Sequence, residues 1–251
     1  MFHPDKCKIL SLGRNILETS YTMKDTDDNI VNLQRTREEK DLGVIIDEEL
    51  TFEKHISEKV NLANRNMGII RRTFQFLDIT TFKYLYKAQV RPHLEYANSV
   101  WKPYKAKDID LIEKVQKRAT KQIPGLRDMS YEERLKKLGL CTLAYRRLRG
   151  DLIEVYRILK GLTDPETAPN LNLIGETSTR GNGKKLLVLR AEGGHNYRQN
   201  YFTLRVSKIW NSLPRNVVWA ESLNSFKSKL DKHFHNHPLK WDYKVKDTFT
   251  V

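Results

Sequence analysis

The spacing of apolar residues from residue 53 onward most strongly constrains the fold of this chain. Across residues 56–74 they recur every three or four positions, which is the period of one buried face of a helix about twenty residues long. Similar stripes follow at residues 82–90, 111–123 and 145–159. Pro124-Gly125 and Gly161 provide helix ends, and Ser130 with Glu133 forms a capping box. The pattern predicts a helical domain over residues 51–161 with short connections.

The first fifty residues have a different character, because their short apolar runs fit strands. Residues 6–12 alternate loosely, the polar run at 24–29 fits a hairpin turn, and residues 41–47 form a β-branched run typical of a buried strand. So few strands need a layer of helix or further strands to cover them. We therefore predict a mostly α fold (α+β) with a small N-terminal β-hairpin or sheet remnant over residues 1–50.

Regular helical spacing stops after residue 161 and returns near residue 202. Residues 162–195 contain many glycines and prolines, including Gly175, Gly181, Gly193 and Gly194, and are predicted to be a linker or loop with one short strand at 186–189. Residues 196–251 contain two more apolar stripes and are predicted to form a C-terminal helical extension. We therefore predict a helical bundle over residues 51–161, followed after the linker by separate C-terminal helices.

Charge is concentrated in the predicted helical domain. The chain has 45 basic and 31 acidic residues, a formal charge of +14 and a pI of about 9.6. Residues 1–50 carry a net −4, whereas residues 51–160, with 24 basic and 12 acidic side chains, carry +12. This balance favours a polyanionic partner, with an anionic membrane surface as the weaker alternative.

Two cysteines cannot build a disulfide framework, and no apolar run approaches the ~20 residues of a membrane span. We expect an intracellular protein, nuclear or cytoplasmic.

Three patterns resemble parts of catalytic or ligand sites, and none is complete. Asp27-Asp28 follows polar residues rather than an apolar strand, so a solvated turn is favoured over a metal-binding carboxylate pair. The loop around Gly181 and Gly183 lacks the spacing of a phosphate-binding glycine motif. His233, His235 and His237 would share a face only on an extended strand, and we expect at most weak, adventitious metal affinity from them. We predict no catalytic site, no metal site, no cofactor and no small-molecule substrate.

Three clusters of cations fall on the predicted helices. Lys114, Lys117, Arg118 and Lys121 have helical spacing and form one stripe opposite the apolar face. The other clusters are Arg71 with Arg72, and Arg146, Arg147 and Arg149; tyrosines are interleaved at positions 84, 86, 96, 104 and 145. Lysines and arginines that neutralise phosphates, with aromatic rings for stacking, are typical of nucleic-acid binding without sequence reading. These nine cations are the predicted binding residues.

Several segments, in order, resemble the end of the palm, the thumb and the C-terminal segment of reverse transcriptases of jockey-like non-LTR retrotransposons (LINE elements). The segments are FHPDKC at 2–7, KDLGVIID at 40–47, YKAQVRPHLEYA at 86–97, QKRATK at 116–121, LAYRRLRGD at 143–151, and Arg205-Val206 with WNSLP at 210–214. The resemblance implies an RNA-directed DNA polymerase whose metal-binding aspartates precede the part matched by this chain.

The same resemblance implies roles for individual segments. Lys6 matches a late-palm lysine proposed to protonate departing pyrophosphate, residues 41–47 match a hairpin that grips the primer end, and the basic helices match a thumb that tracks the template–primer duplex. Mg²⁺ would belong only to the intact enzyme. The chain is then predicted to be inactive as a polymerase alone, because a general acid without a metal-bound nucleotide has nothing to protonate, and to bind RNA or RNA–DNA duplex non-specifically.

Two alternatives to this interpretation stay open. The sequence could be a truncated gene model of a full polymerase whose catalytic half is encoded upstream. It could also be a co-opted protein-interaction module whose helices bind another protein, in which case reversing the charge at Lys117 and Arg118 would not change partner affinity.

Overall fold

The computed structural model describes residues 3–13, 19–74, 76–174, 183–189 and 199–245 of the 251-residue chain. About 52% of the chain is helical and about 10% is strand, so the prediction of a mostly α fold with a small sheet component is confirmed. The chain divides into two compact units, Met1–Glu58 and Lys59–Val251. No helix of the described residues is long and apolar enough to cross a bilayer.

The first unit contains short strands that pair two by two. Within its described residues these are β1 (Lys8–Leu10), β2 (Thr22–Lys24), β3 (Ile30–Asn32), β4 (Gln34–Thr36), β5 (Glu38–Asp41) and β6 (Val44–Asp47). β1 pairs with β4 in parallel, whereas β2–β3 and β5–β6 are antiparallel hairpins. Two-stranded sheets are marginal alone, so each depends on what packs against it.

The polar run at residues 24–29 is a hairpin turn, as predicted. One carboxylate oxygen of Asp25 accepts hydrogen bonds from the backbone N–H groups of Asp27 (2.8 Å) and Asn29 (2.9 Å). Asp28 adopts a left-handed φ of 64° and its side chain pairs with Lys24. Asp27 and Asp28 are exposed, so this acidic pair lies in a solvated turn.

The buried strand predicted at residues 41–47 is β6, and it connects directly to the first helix. Val44 and Ile45 are buried, and the backbone N–H of Ile45 donates to Nδ1 of the fully buried His55 at 3.2 Å. The Asp47 carboxylate accepts hydrogen bonds from the backbone N–H groups of residues 51 and 52. These bonds satisfy backbone donors just before the helix begins.

The helices follow the predicted apolar stripes. Those of the described residues are α1 (Glu53–Thr73), α2 (Ile79–Leu85), α3 (Arg91–Glu95), α4 (Asn98–Trp101), α5 (Ala106–Thr120), α6 (Tyr131–Leu138), α7 (Leu143–Leu159), α8 (Phe202–Ser212), α9 (Arg215–Val218) and α10 (Leu223–His233). The Ser130–Glu133 capping box at the start of α6 is present in both directions. Gly139 ends α6 with a left-handed φ of 59°, a conformation that glycine adopts without strain.

A π-helical turn, Tyr86–Val90, joins α2 to α3 and accommodates Pro92. The N–H of Arg91 donates to the carbonyl of Tyr86, five residues back. Because proline lacks an N–H, it fits at the start of α3 rather than in the middle of an α-helix. Asp78 caps the start of α2 through the N–H groups of Thr80 and Thr81.

Helices α7, α8 and α10 share one hydrophobic core, so the predicted helical domain and the C-terminal extension belong to one unit. The core includes Leu148 and Leu152 of α7 together with Val206 and Trp210 of α8. Tyr156 stacks on Phe226 of α10 with ring centroids 4.4 Å apart. The periodicity of each helix predicted its buried face, but it did not show that these faces cover one another.

The prediction of a strand at residues 186–189 is wrong. Leu186 forms a single antiparallel bridge with Leu173, and the side-chain amide of Asn211 bonds both its backbone N–H (2.7 Å) and its carbonyl (2.8 Å). The N–H of Leu187 donates to the carbonyl of Asn172 (2.7 Å) and the N–H of Ile174 donates to the carbonyl of Lys185 (2.8 Å), so pairing is limited to this one bridge. Leu186 is fully buried in the core. The described parts of residues 162–195 therefore include a packed segment. Gly175, Gly181, Gly193 and Gly194 lie outside the described residues.

Candidate nucleic-acid interface

Helix α5 separates its apolar and basic faces as the sequence predicted. Of the predicted apolar stripe, Val115, Ala119 and Ile123 are at most 2% exposed, whereas Leu111 is 36% exposed and Ile112 is buried instead. Lys114, Arg118 and Lys121 are exposed, and Lys117 is partly exposed. A continuous basic stripe therefore reaches solvent on α5, because the apolar side of the same helix is held in the core.

The structure places Arg71 and Arg72, at the end of α1, beside this stripe. A pocket of about 300 Å³ lies between α1 and α5, and Arg71, Arg72 and Arg118 all line it. We call it the α1–α5 pocket; its other lining residues are Asn64, Met67, Gly68, Val115, Ala119 and Gln122. Two of the three predicted clusters are thus brought together.

A larger groove of about 740 Å³, the α5–α6 groove, is also lined by Arg118. It is lined by Lys114, Lys117, Arg118, Lys121, Arg127, Arg134 and residues 128–131. Because Arg118 lines both the pocket and the groove, the two form one surface. We call its exposed or partly exposed basic residues the cationic surface: Arg71, Arg72, Lys114, Lys117, Arg118, Lys121 and Arg127.

Most of the cationic surface is not neutralised by acidic residues. Arg71, Arg72, Arg118, Lys121 and Arg127 form no ion pair or side-chain hydrogen bond within the described part of the chain. Lys114 pairs with Asp110 at 2.8 Å, but both side chains are substantially exposed, and such pairs contribute little to stability. Like charges held together in this way repel one another until an anion binds.

Lys117 differs from the other members because it is held by two tyrosines. Its Nζ donates to the Tyr243 hydroxyl at 2.7 Å and lies 4.4 Å from the centre of that ring and 5.4 Å from the Tyr131 ring. The Tyr243 hydroxyl in turn donates to Asp110 at 2.7 Å. Burial raises the pKa of Tyr243, and the hydrogen bond to Asp110 raises it further. Lys117 therefore reaches solvent in a fixed position.

The third predicted cluster does not form a binding surface. Arg147 is only 2% exposed, so the prediction that it contacts phosphate is wrong. It lies on α7 in the row of Leu143, Asp151 and Val155, each four residues from the next, and all of them are buried. Burial lowers the pKa of Arg147, while Glu113 opposes that effect.

The neighbours of Arg147 are held by carboxylates within the protein. Arg146 makes a two-pronged contact with Glu95, whose carboxylate also pairs with Arg91. Burial would lower the pKa of Arg146, but Glu95 outweighs it and the pKa is raised. Arg149 binds both carboxylate oxygens of Asp231, at 2.5 and 2.8 Å. Arg146 and Arg149 therefore connect helices rather than present free charge to a ligand.

The predicted aromatic residues also divide by burial. Tyr86 and Tyr145 are at most 4% exposed, so they are core residues and not stacking platforms. Tyr84 and Tyr96 are 74% and 54% exposed. Tyr86 donates a hydrogen bond to Gln116, and Gln116 donates to the hydroxyl of Tyr131 in the groove wall. These contacts fix α5 against α6.

Several residues of the site were missed by sequence reasoning. Arg127 and Arg134 line the groove but lie outside the stripe spacing of α5. Arg134 is buried, with its guanidinium bonded to Thr120 and to the carbonyl of Met129, and it holds the loop before α6. Arg127 lies in the loop between α5 and α6, where no periodic pattern marks it.

Lys6 and the C-terminal histidines lie in simpler surroundings. Lys6 is exposed at the end of a 3₁₀ turn, Pro4–Lys6, in the first unit. His233 ends α10, whereas Nδ1 of His237 caps a 3₁₀ turn by accepting from the N–H of Leu239. The three histidines therefore do not share one face of a strand. Among the described residues, no group of three or more His, Cys, Asp or Glu side chains is placed to hold a metal ion.

Comparison with known proteins finds one relative of unknown activity. The chain is similar to the uncharacterized protein B0403.1 of Caenorhabditis elegans, with 29% identity over 124 residues. The match covers 48% of this chain and 63% of the worm protein, which is less than two thirds of that relative's length. No family model and no solved structure matches the chain. The resemblance to reverse transcriptases therefore stays a prediction from the motifs quoted above.

Proposed function

We propose that the cationic surface binds the phosphate backbone of RNA or RNA–DNA duplex without reading its sequence. In this proposal the chain is the template–primer-gripping part of a jockey-like non-LTR retrotransposon reverse transcriptase. The observation that carries the proposal is the position of Arg118, which joins the arginines of α1 to the basic groove of α5 and α6.

The electrostatics of this surface support a polyanionic ligand. Five of its cations have no acidic partner among the described residues, and they are concentrated on two helices and one loop. A polyanion that contacts them releases its condensed counterions, and this release favours binding strongly at low salt. Backbone contacts of this kind carry no sequence information.

The proposal is tested by the salt dependence of binding. A fluorescently labelled RNA–DNA duplex is titrated with wild-type protein and with the double variant Arg118→Glu/Lys121→Glu at several salt concentrations. We expect the variant to bind much more weakly. The slope of the logarithm of its binding constant against the logarithm of the salt concentration should be smaller in magnitude by about two, because each phosphate contact contributes roughly 0.9 to that slope. Neither side chain has a folding partner, so the variant should fold normally.

Lys229→Glu/Lys232→Glu is the matched control, because both are exposed lysines on α10 that do not line the pocket or the groove, and their reversal changes the net charge by the same amount. It should bind within about twofold of wild type. Equal losses in the control and the double variant would indicate a general effect of net charge and would contradict a specific surface. Absence of duplex binding by the wild type at low salt would overturn the proposal.

We also expect no incorporation of dNTPs by the chain alone, even with Mg²⁺ and a primed RNA template. In the family that the motifs resemble, the catalytic aspartates precede the matched part, and Lys6 has no metal-bound nucleotide to protonate. A primer-extension assay measures this directly, with a complete reverse transcriptase as the positive control. Primer extension by the purified chain would contradict the assignment of its segments to the late palm and thumb.

A further inference from the structure

A second group of cations lies on α2 and on the π-helical turn that follows it. Lys83 is partly exposed, Lys87 is exposed, and the Tyr84 side chain beside them is 74% exposed. Residues three or four positions apart are neighbours on a helical surface, so Lys87 lies next to both Lys83 and Tyr84. We call these three residues the α2 face. None of them lines the α1–α5 pocket or the α5–α6 groove.

The positive charge of the α2 face is not neutralised within the described part of the chain. Lys83 and Lys87 form no ion pair and no side-chain hydrogen bond there. Glu95, at the end of α3, already pairs with both Arg91 and Arg146. Burial lowers the pKa of the Lys87 ammonium, and three nearby cations lower it further, namely Lys83, Arg91 and Arg146. Cations gathered in this way repel one another until an anion binds.

Tyr84 contributes little to the packing of the chain. Among the described residues its hydroxyl forms no hydrogen bond and its ring makes no aromatic contact. The core side of the same helix is completed by Phe82 and Tyr86, whose stacked rings have centroids 5.5 Å apart. The exposed ring therefore lies in solvent beside two free ammonium groups. Proteins that bind single strands use aromatic rings among cations, because every base has a flat face that stacks on a ring.

We propose that the α2 face binds an unpaired segment of nucleic acid. One base stacks on the Tyr84 ring, and the neighbouring phosphates contact Lys83 and Lys87. A base inside a duplex cannot do so, because its faces are covered by adjacent bases. The acidic side chains of a peptide could contact the lysines but offer no flat ring to cover Tyr84, so the exposed ring favours nucleic acid. This inference goes beyond the proposed function, because it concerns another surface and another ligand class and does not depend on the cationic surface.

The critical variant is Tyr84→Ala, which removes the ring without changing the charge of the protein. Alanine has the highest helix propensity and Tyr84 is largely exposed, so α2 should form as before. Tyr84→Phe keeps the ring and removes only the hydroxyl. Tyr201→Ala is the matched control, because Tyr201 is 57% exposed but has Asn200 and Leu204 at the positions that correspond to the two lysines.

The probes are a fluorescently labelled single-stranded RNA, a single-stranded DNA of the same sequence and a blunt RNA–DNA duplex. Single-strand binding is measured with each change added to the Arg118→Glu/Lys121→Glu protein, in which the cationic surface is weakened. Tyr84→Ala should weaken this binding by about tenfold (1.4 kcal/mol), whereas Tyr84→Phe and Tyr201→Ala should stay within about twofold. In the otherwise wild-type protein, Tyr84→Ala should leave duplex binding within about twofold.

The lysines are tested by Lys83→Glu/Lys87→Glu in the same Arg118→Glu/Lys121→Glu protein. This change should weaken single-strand binding and reduce the magnitude of its logarithmic salt slope by about 1.4, because each phosphate of a single strand contributes roughly 0.7. RNA and DNA should behave alike, because neither contact involves the 2′-hydroxyl. A loss confined to one of them would still support the proposal and would identify the strand that the face prefers.

Three results would overturn this inference. The first is single-strand binding by Tyr84→Ala as tight as that of its parent, or no single-strand binding by the parent at low salt. The second is an equal loss in Tyr84→Phe, which would assign the contact to the hydroxyl rather than the ring. The third is displacement of the single strand by a glutamate-rich peptide of equal charge at comparable concentration, which would assign the face to an acidic protein.

Failure of this inference is distinguishable from failure of the proposed function, because the two use different residues and different probes. Loss of duplex binding in Arg118→Glu/Lys121→Glu without any effect of Tyr84→Ala on single strands would overturn the α2 face and support the cationic surface. An effect of Tyr84→Ala on single strands, in a protein that binds no duplex, would support the α2 face and overturn the proposed function.

Discussion

Replacing Asp151 with asparagine should destabilise the second unit strongly, because this one buried carboxylate is the ion-pair partner of two largely buried cations. Asp151 on α7 has a side chain only 2% exposed. It pairs with Lys102 at 3.0 Å and with Arg205 of α8 through two hydrogen bonds of 2.9 and 3.1 Å. Burial raises the pKa of this carboxyl, but Lys102 and Arg205 outweigh burial and hold the pKa below its usual range.

The size of the effect follows from the burial of the partners. The side chains of Lys102 and Arg205 are 18% and 10% exposed, so neither can regain much hydration when the carboxylate is removed. Removing one member of a buried ion pair typically costs about 3–5 kcal/mol. Asparagine keeps one oxygen acceptor but no charge, so we expect a loss of roughly 3 kcal/mol for Asp151→Asn.

Urea unfolding followed by tryptophan fluorescence measures this loss. Trp101, Trp210, Trp219 and Trp241 all lie in the second unit, so their fluorescence reports on that unit. Asp231→Asn is the control. Asp231 on α10 binds Arg149 of α7, the helix that also carries Asp151, but the Asp231 side chain is 50% exposed. The variant should lower the free energy of unfolding by at most about 1 kcal/mol. Equal losses in the two variants, or an unchanged midpoint for Asp151→Asn, would refute the argument from burial.

Two further predictions concern segments outside this ion cluster. The Thr81 hydroxyl and the N–H groups of Thr80 and Thr81 lower the pKa of the Asp78 carboxyl. The wild type should therefore be more stable than Asp78→Asn by a constant amount above the ordinary pKa of 3.8, and this difference in unfolding free energy should decline as the pH falls through the lowered pKa. Urea midpoints of both proteins at about pH 5 and about pH 3 test this, and an equal difference at the two pH values would contradict it. Leu186→Ala should lower the free energy of unfolding by about 2–5 kcal/mol, because Leu186 is fully buried. The control Leu187→Ala should lower it by less than about 1 kcal/mol, because Leu187 is 45% exposed. Equal melting temperatures of the two variants would show that residues 183–189 do not support the core.

The sequence predicted local structure well wherever the cause is local. The stripe of Ile56, Val60 and Ala63 is buried on α1, because helical spacing alone places these residues on one face. Ser130 and Glu133 cap α6, and Asp78 caps α2, because both ends of each contact lie within three residues. The basic stripe of α5 follows from the same geometry. Phe74, the last residue of the predicted stripe on α1, is exposed because the helix ends at Thr73.

Contacts between distant residues could not be predicted in this way. The cluster of Arg146, Arg147 and Arg149 resembles the α5 stripe in composition. However, Glu95 neutralises Arg146 from 51 residues away, and Asp231 neutralises Arg149 from 82 residues away. Arg147 is buried. Leu186 is buried because Asn211 of α8 bonds its backbone. The α1–α5 pocket likewise depends on Gly68 and Gln122, which are 54 positions apart in the sequence.

The sequence by itself determined that the chain is mostly helical from residue 53 onward, that Ser130 and Glu133 cap one helix, and which face of the long helices is apolar. The tertiary structure decided which charges remain available to a ligand, because a cation is available only where packing brings no carboxylate against it. It also decided where the pocket lies, because a pocket is the space that two helices leave between them, and the spacing of residues along one helix does not specify the neighbour of that helix.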